Sequence, residues 1–194
     1  MKVGIIVGST REGRSSDRAA KWVAAAAEKL DGMEAEILDL RDYTLPFFNE
    51  AISPQYNPGR KPEGNIKKWL DKLAEKDGII IVTPEYNRTL PAVLKNALDH
   101  VAYELERKPV ALVAHGSTGG AQAVHTLRAV VAGTLAVSVP RAVYIPTMAG
   151  MAFDEAGSLN ADLAANPHGP AAALNALLTD LAAYSTALAT IRKP

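Results

Sequence analysis

The chain has no cysteine among its 194 residues. That excludes disulfides, thiolate nucleophiles, Cys-x-x-Cys redox chemistry and cysteine-ligated metals, so any redox activity has to come from a bound cofactor. It also lacks net charge, because 21 lysines and arginines balance 21 aspartates and glutamates. A general polyanion binder carries a basic stripe, and a soluble electron carrier commonly docks through strong charge of one sign. The first class is excluded here and the second disfavoured, and no nucleic-acid partner is expected. No apolar run approaches the roughly 18 residues of a membrane span. The run Val3 to Val7 is too short for a signal-peptide core and ends at Gly8 and Ser9. A cytoplasmic protein with no membrane partner is the expectation.

The composition that remains, 48% hydrophobic and 22% charged, is enough for a real core. The length suits one compact domain over residues 1–194. Strand-like and helix-like stretches alternate along it. Apolar runs at 3–7, 35–40, 78–83, 109–114 and 141–146 read as strands. The run at 78–83 is apolar throughout, as a central parallel strand covered on both faces should be. Between the runs, Ala20, Val23, Ala27 and Leu30 recur at helical spacing over 17–30, and Ile66, Trp69, Leu70 and Leu73 do so over 64–76. Further helices are expected at 90–103, with Thr89 as N-cap, at 120–133 and at about 170–191. Five strands alternating with helices imply an open parallel sheet with right-handed crossovers. Two long loops interrupt the pattern, at 44–62 and 146–169, and such loops are often functional or interfacial.

Ligands of such sheets bind at the carboxyl ends of the strands, near the point where strand order reverses. Three loops there carry chemistry. The first, residues 8–18, brings Ser9, Thr10, Arg11, Arg14, Ser15 and Ser16 to the start of a helix. A helix N-terminus offers free N–H groups and a positive dipole end, which suits a phosphate. The plainer reading is a serine N-cap with two solvated arginines. The same loop nearly matches a P-loop, Gly8-x4-Gly13, but Arg14 stands where the compact lysine is needed, and Asp39 is the only candidate magnesium ligand. The dinucleotide fingerprint Gly-x-Gly-x-x-Gly is absent.

The second loop begins Thr83-Pro84-Glu85-Tyr86-Asn87. Its turn N–H groups and the flat face of Tyr86 could meet a planar heterocycle, or form an ordinary turn with a buried tyrosine. The third, residues 114–128, contains Gly116, Gly119 and Gly120, which let backbone approach a ligand closely. His115-x-Ser117-x-Gly119 also resembles a degenerate nucleophile elbow, with Asp154 or Asp162 and then His168 downstream. It lacks the motif's first glycine and leaves the other two loops without a role.

Taken together, the loops resemble the NADPH-dependent FMN reductase family, which includes azoreductases and chromate and quinone reductases. The matching residues are Gly8-Ser9-Thr10-Arg11, then Pro84-Glu85-Tyr86-Asn87 with Pro91 through Asp99, and the glycine-rich stretch 116–120. The likeness extends over about residues 2–190. It implies a flavodoxin-like three-layer sandwich with a five-stranded parallel sheet, and FMN as cofactor. It further implies hydride transfer from NADPH or NADH to a flavin, quinone, azo compound or similar small acceptor. Carried over, Ser9, Arg11, Arg14, Ser15, Ser16 and Asp17 would surround the phosphate. Pro84, Glu85, Tyr86 and Asn87 would lie along the isoalloxazine, and Ser117, Thr118, Gly119 and Gly120 would line its pyrimidine end. Arg88-Thr89 stands where the family often has Gly-Ser. No side chain is expected to act as general acid or base, no metal is expected, and His115, His125 and His168 read as structural or surface residues. The family's habit implies a homodimer or homotetramer, through the helix at 90–103 and the loop at 44–62. A non-enzymatic FMN-binding electron carrier is the alternative from another class, and a serine hydrolase using Ser117 a more distant one.

Overall fold

The computed structural model of the chain describes residues 1–146 and 151–192. Five parallel strands, β1 (Lys2–Val7), β2 (Glu34–Asp39), β3 (Gly78–Pro84), β4 (Pro109–Gly116) and β5 (Val137–Pro146), form one sheet in the order β2-β1-β3-β4-β5. The helices are α1 (Ser16–Ala27), α2 (Gly64–Ala74), α3 (Ala92–Asp99), α4 (Ala121–Gly133), the short α5 (Ala161–Ala165) and α6 (Pro170–Ala189). This is the flavodoxin-like arrangement expected. The order reverses between β1 and β3, which fixes the binding edge at their carboxyl ends.

Period-two alternation divides the core into two layers. Ile6, Ile79, Ile81, Val110 and Leu112 face one side, where Trp69, Leu73, Leu94 and Leu127 of α2, α3 and α4 cover them. Val3, Ile5, Val7, Ile80, Val82, Ala111 and Val113 face the other, under Ala20 and Val23 of α1 and Leu174, Leu177 and Leu181 of α6. The indole of Trp69 has no exposed surface, and its Nε1–H donates to the Ala97 carbonyl at 2.9 Å, so α2 and α3 are tied as well as packed. Burying an aromatic of this size without a partner for its N–H would leave a costly unpaired donor.

Three expectations are corrected. β5 begins at Val137 rather than 141, because the register slips between Val110 and Leu112 and leaves Val139, Pro140 and Arg141 as a bulge on this edge strand. Proline is tolerated at such a place, and it had hidden the strand's first half. Thr89 is not the cap of α3. That position belongs to Pro91, while Thr89 pairs with Tyr86. The loop at 146–169 contains α5, and its residues 147–150 lie outside those described. The loop at 44–62 contains one 3-10 turn, Pro54–Tyr56, and is pinned to α3 by Asn96, whose amide donates to Pro46 O (2.9 Å) and accepts from Phe48 N (2.8 Å).

Candidate functional site

The loops after β1, β3 and β4 meet at the carboxyl edge and are cross-linked there. Ser9 is fully buried, and its hydroxyl lies 2.8 Å from the Tyr86 hydroxyl, joining the first loop to the second. The Glu85 N–H donates to the His115 carbonyl at 3.1 Å, joining the second to the third. Ser16 Oγ lies 2.9 Å from His115 Nε2, joining the first to the third. His115 therefore contacts both other loops. Its imidazole is almost fully enclosed, and burial pushes its pKa down to about 4 although the Asp17 carboxylate pulls the other way. It is neutral at physiological pH.

Strand β2 supplies a brace that the sequence did not disclose. Asp39, its last residue, forms an ion pair with Arg14, whose Nη1 also donates to Ser9 O at 2.5 Å. Burial disfavours the charged form of Asp39, but the Arg14 guanidinium and the Arg41 N–H outweigh it and hold the carboxyl below its ordinary pKa. Arg41 reaches over to the carbonyls of Thr10 and Arg11, at 3.3 and 2.7 Å. Asp39, considered above as a magnesium ligand, is thus an arginine's partner. Partners 25 and 30 residues apart leave no local pattern, and an acid at a strand end was the only clue.

The first loop's charges are sorted by this brace. Arg14 is buried and committed to Asp39 and Ser9, whereas Arg11 is exposed, with its guanidinium carbon 5.6 Å from the Tyr86 ring centre. Ser15 occupies the N-cap of α1, but its side chain makes no capping bond. The first-turn N–H groups of a helix have no intrahelical partner, so this helix presents them without a competing cap. Ser9 and Ser16 are buried and internally bonded, and one Asp17 carboxylate oxygen is buried without a partner.

In the second loop, Tyr86 and Thr89 exchange both backbone hydrogen bonds (2.9 and 3.0 Å) around a two-residue tip. Both tip residues, Asn87 and Arg88, have positive φ (48° and 68°), the pattern of a type I′ turn. Asparagine tolerates that region, while for arginine it costs about 1–2 kcal/mol. In the third loop, Gly119 and Gly120 have φ of 76° and 80°. A Cβ on Gly120 would lie 2.5 Å from the Ala114 Cβ, so only glycine lets α4 start this close to β4. The Glu85 carboxylate accepts from the Gln122 N–H (2.9 Å) and from the Thr118 hydroxyl (3.3 Å), which leaves Ser117 exposed at the loop's tip. Among the described residues Ser117 makes no hydrogen bond to a histidine. His168 is exposed and lines a cavity with Thr118, Gly119 and Asn166, but no bond joins it to Ser117, so the nucleophile-elbow reading lacks its serine–histidine pair.

The residues present fit the phosphate-bearing flavin implied by the sequence. An uncapped helix N-terminus, an exposed arginine and an enclosing tyrosine stand at the switch point. Comparison with known proteins agrees. The family model described as NADPH-dependent FMN reductase matches residues 1–150. An NAD(P)H-dependent FMN reductase of Schizosaccharomyces pombe is 36% identical over 138 residues, covering 71% of this chain and 68% of that protein. An NADPH azoreductase of a Bacillus species is 32% identical over 148 residues (75% and 76%). Among solved structures, a flavoenzyme NAD(P)H:(acceptor) oxidoreductase of Paracoccus denitrificans covers 97% of both chains with a TM-score of 0.69 at 24% identity, a likeness of fold.

Proposed function

The chain belongs to the NADPH-dependent FMN reductase family, and on that premise we propose that its three cross-linked loops hold FMN and serve a small acceptor such as a quinone or azo compound. The enzyme is an FMN-dependent NAD(P)H oxidoreductase. The chemistry that bound FMN would supply is acceptance of hydride from NAD(P)H and its delivery as electrons to the acceptor. The protein's residues position and enclose it. The observation that carries the placement is the uncapped start of α1 with Arg11 exposed beside it. There the N–H groups of the first turn and the guanidinium would receive the phosphate, with Ser15 at the rim. Ser9, Ser16 and Arg14 hold the loop's shape from beneath, which narrows the direct contacts to fewer residues than the motif named. Tyr86 with Pro84, Glu85 and Asn87 would flank the ring, and residues 117–120 would meet its pyrimidine end.

Two finer readings belong to the same proposal. Phe47 is 82% exposed and Ile52 51% exposed on the loop at 44–62, and large apolar groups displayed together support a homo-oligomer that covers them. Dependence on NAD(P)H supports a cytoplasmic setting. The phosphate placement is tested by comparing FMN with riboflavin, which lacks the phosphate. A charge-assisted bond is worth about 1.5–3 kcal/mol, so Arg11→Met is expected to weaken FMN roughly ten- to hundredfold and to leave riboflavin unchanged. Equal weakening of both ligands would mean that Arg11 supports the ring or the fold instead.

A further inference from the structure

We propose that Arg88 is a nucleotide-binding residue of this enzyme, receiving a phosphate group of NAD(P)H at the tip of the 86–89 turn. The inference rests on the flavin reading above and deepens it. The turn follows β3 directly at the carboxyl edge of the sheet, next to the switch point. Its stem is fixed by the two Tyr86–Thr89 backbone bonds and by the bond between the Tyr86 and Ser9 hydroxyls. Arg88 is therefore presented on a rigid stalk. It stands in the left-handed region, which glycine would occupy without strain, and a strained residue held at a binding edge points to a role for its side chain.

That side chain is exposed, and among the described residues it makes no hydrogen bond or ion pair. The acid nearest in sequence, Glu85, is turned to the third loop, where Gln122 N–H and the Thr118 hydroxyl take its two oxygens. The result is an uncompensated guanidinium at the mouth of the site, a planar fork that matches phosphate oxygens. A quinone or azo acceptor need not carry an anion. The reductant always does, as the pyrophosphate of both nucleotides and the 2′-phosphate of NADPH.

The test uses FMN-loaded protein and the variant Arg88→Gly, which relieves the strained φ and is expected to melt no lower than wild type. KM for the nucleotide is expected to rise about tenfold with kcat and FMN occupancy unchanged. The Kd of redox-inert NADP+ or NAD+, measured by calorimetry, should rise in parallel, and Arg88→Lys should recover part of the loss because it keeps the charge. A loss confined to NADP+ assigns the 2′-phosphate, and an equal loss for both nucleotides assigns the pyrophosphate. A yellow Arg88→Gly protein that binds both nucleotides as tightly as wild type overturns the assignment alone. A wild type that takes up no FMN overturns the flavin reading and the assignment with it.

Discussion

Replacing His115 by glutamine tests whether the three loops stand or fall together. The buried imidazole has its pKa pushed from the ordinary 6.5 down to about 4, so the folded state resists a proton that the unfolded chain accepts. Below about pH 6.5 the unfolded state therefore binds more protons, and stability falls as pH drops, until the folded protein also protonates near pH 4. With those two values the loss amounts to roughly 2 kcal/mol at about pH 5, approaching ~3 kcal/mol at still lower pH, at 1.36 kcal/mol per unit. Glutamine can still donate a hydrogen bond toward Ser16 but does not titrate. Urea unfolding of both proteins at a series of pH values isolates the effect, because other groups titrate alike in each and cancel in the difference. The His115→Gln variant is expected to start less stable near pH 8 and to converge on wild type by about pH 5. Parallel stability–pH curves would show that His115 does not titrate in the buried contact with Ser16 and would refute the reasoning. The same variant should weaken FMN binding, since the imidazole joins α1 to the glycine-rich loop.

Gly120→Ala is expected to destabilise by ~2–4 kcal/mol, from a strained left-handed φ together with a Cβ driven into Ala114. Calorimetry should show a melting temperature lower by about 10 °C. Gly13→Ala has a similar φ but no neighbour within 4 Å, so it should cost only ~1 kcal/mol, and equal effects would contradict the packing argument. Light scattering should find a dimer or larger assembly. Phe47→Ser with Ile52→Ser should shift that assembly toward monomer, whereas a wild-type monomer at all concentrations would remove the interface placed at the 44–62 loop.

Much of this was legible in the chain. The runs at 3–7, 78–83 and 109–114 are apolar because both faces of a central strand are covered, and each is followed by a loop of the site. Their meeting follows from parallel topology alone. What stayed hidden depended on partners distant in sequence. Nothing local separates Arg11, exposed on Tyr86, from Arg14, buried on Asp39, two arginines three positions apart in one loop. His115 reads in the sequence as a structural or surface residue, and its contacts with Ser16 and Glu85 appear only when α1, β3 and β4 are side by side. The first half of β5 was masked by Pro140 and Arg141, which leave the ladder as a bulge. Thr89 looked like a helix cap because its role, closing a turn with Tyr86, uses backbone atoms that carry no residue signature.

The visible absorption spectrum of the purified protein, before and after anaerobic addition of NADPH, tests the central claim most directly. Protein incubated with FMN and freed of excess is expected to show the flavin bands at about one equivalent per chain, and to bleach when NADPH is added, with the colour returning on addition of a quinone. A protein that retains no flavin would contradict the placement of FMN on the three loops. One that holds FMN but stays yellow under NADPH or NADH would contradict its use as a reductase.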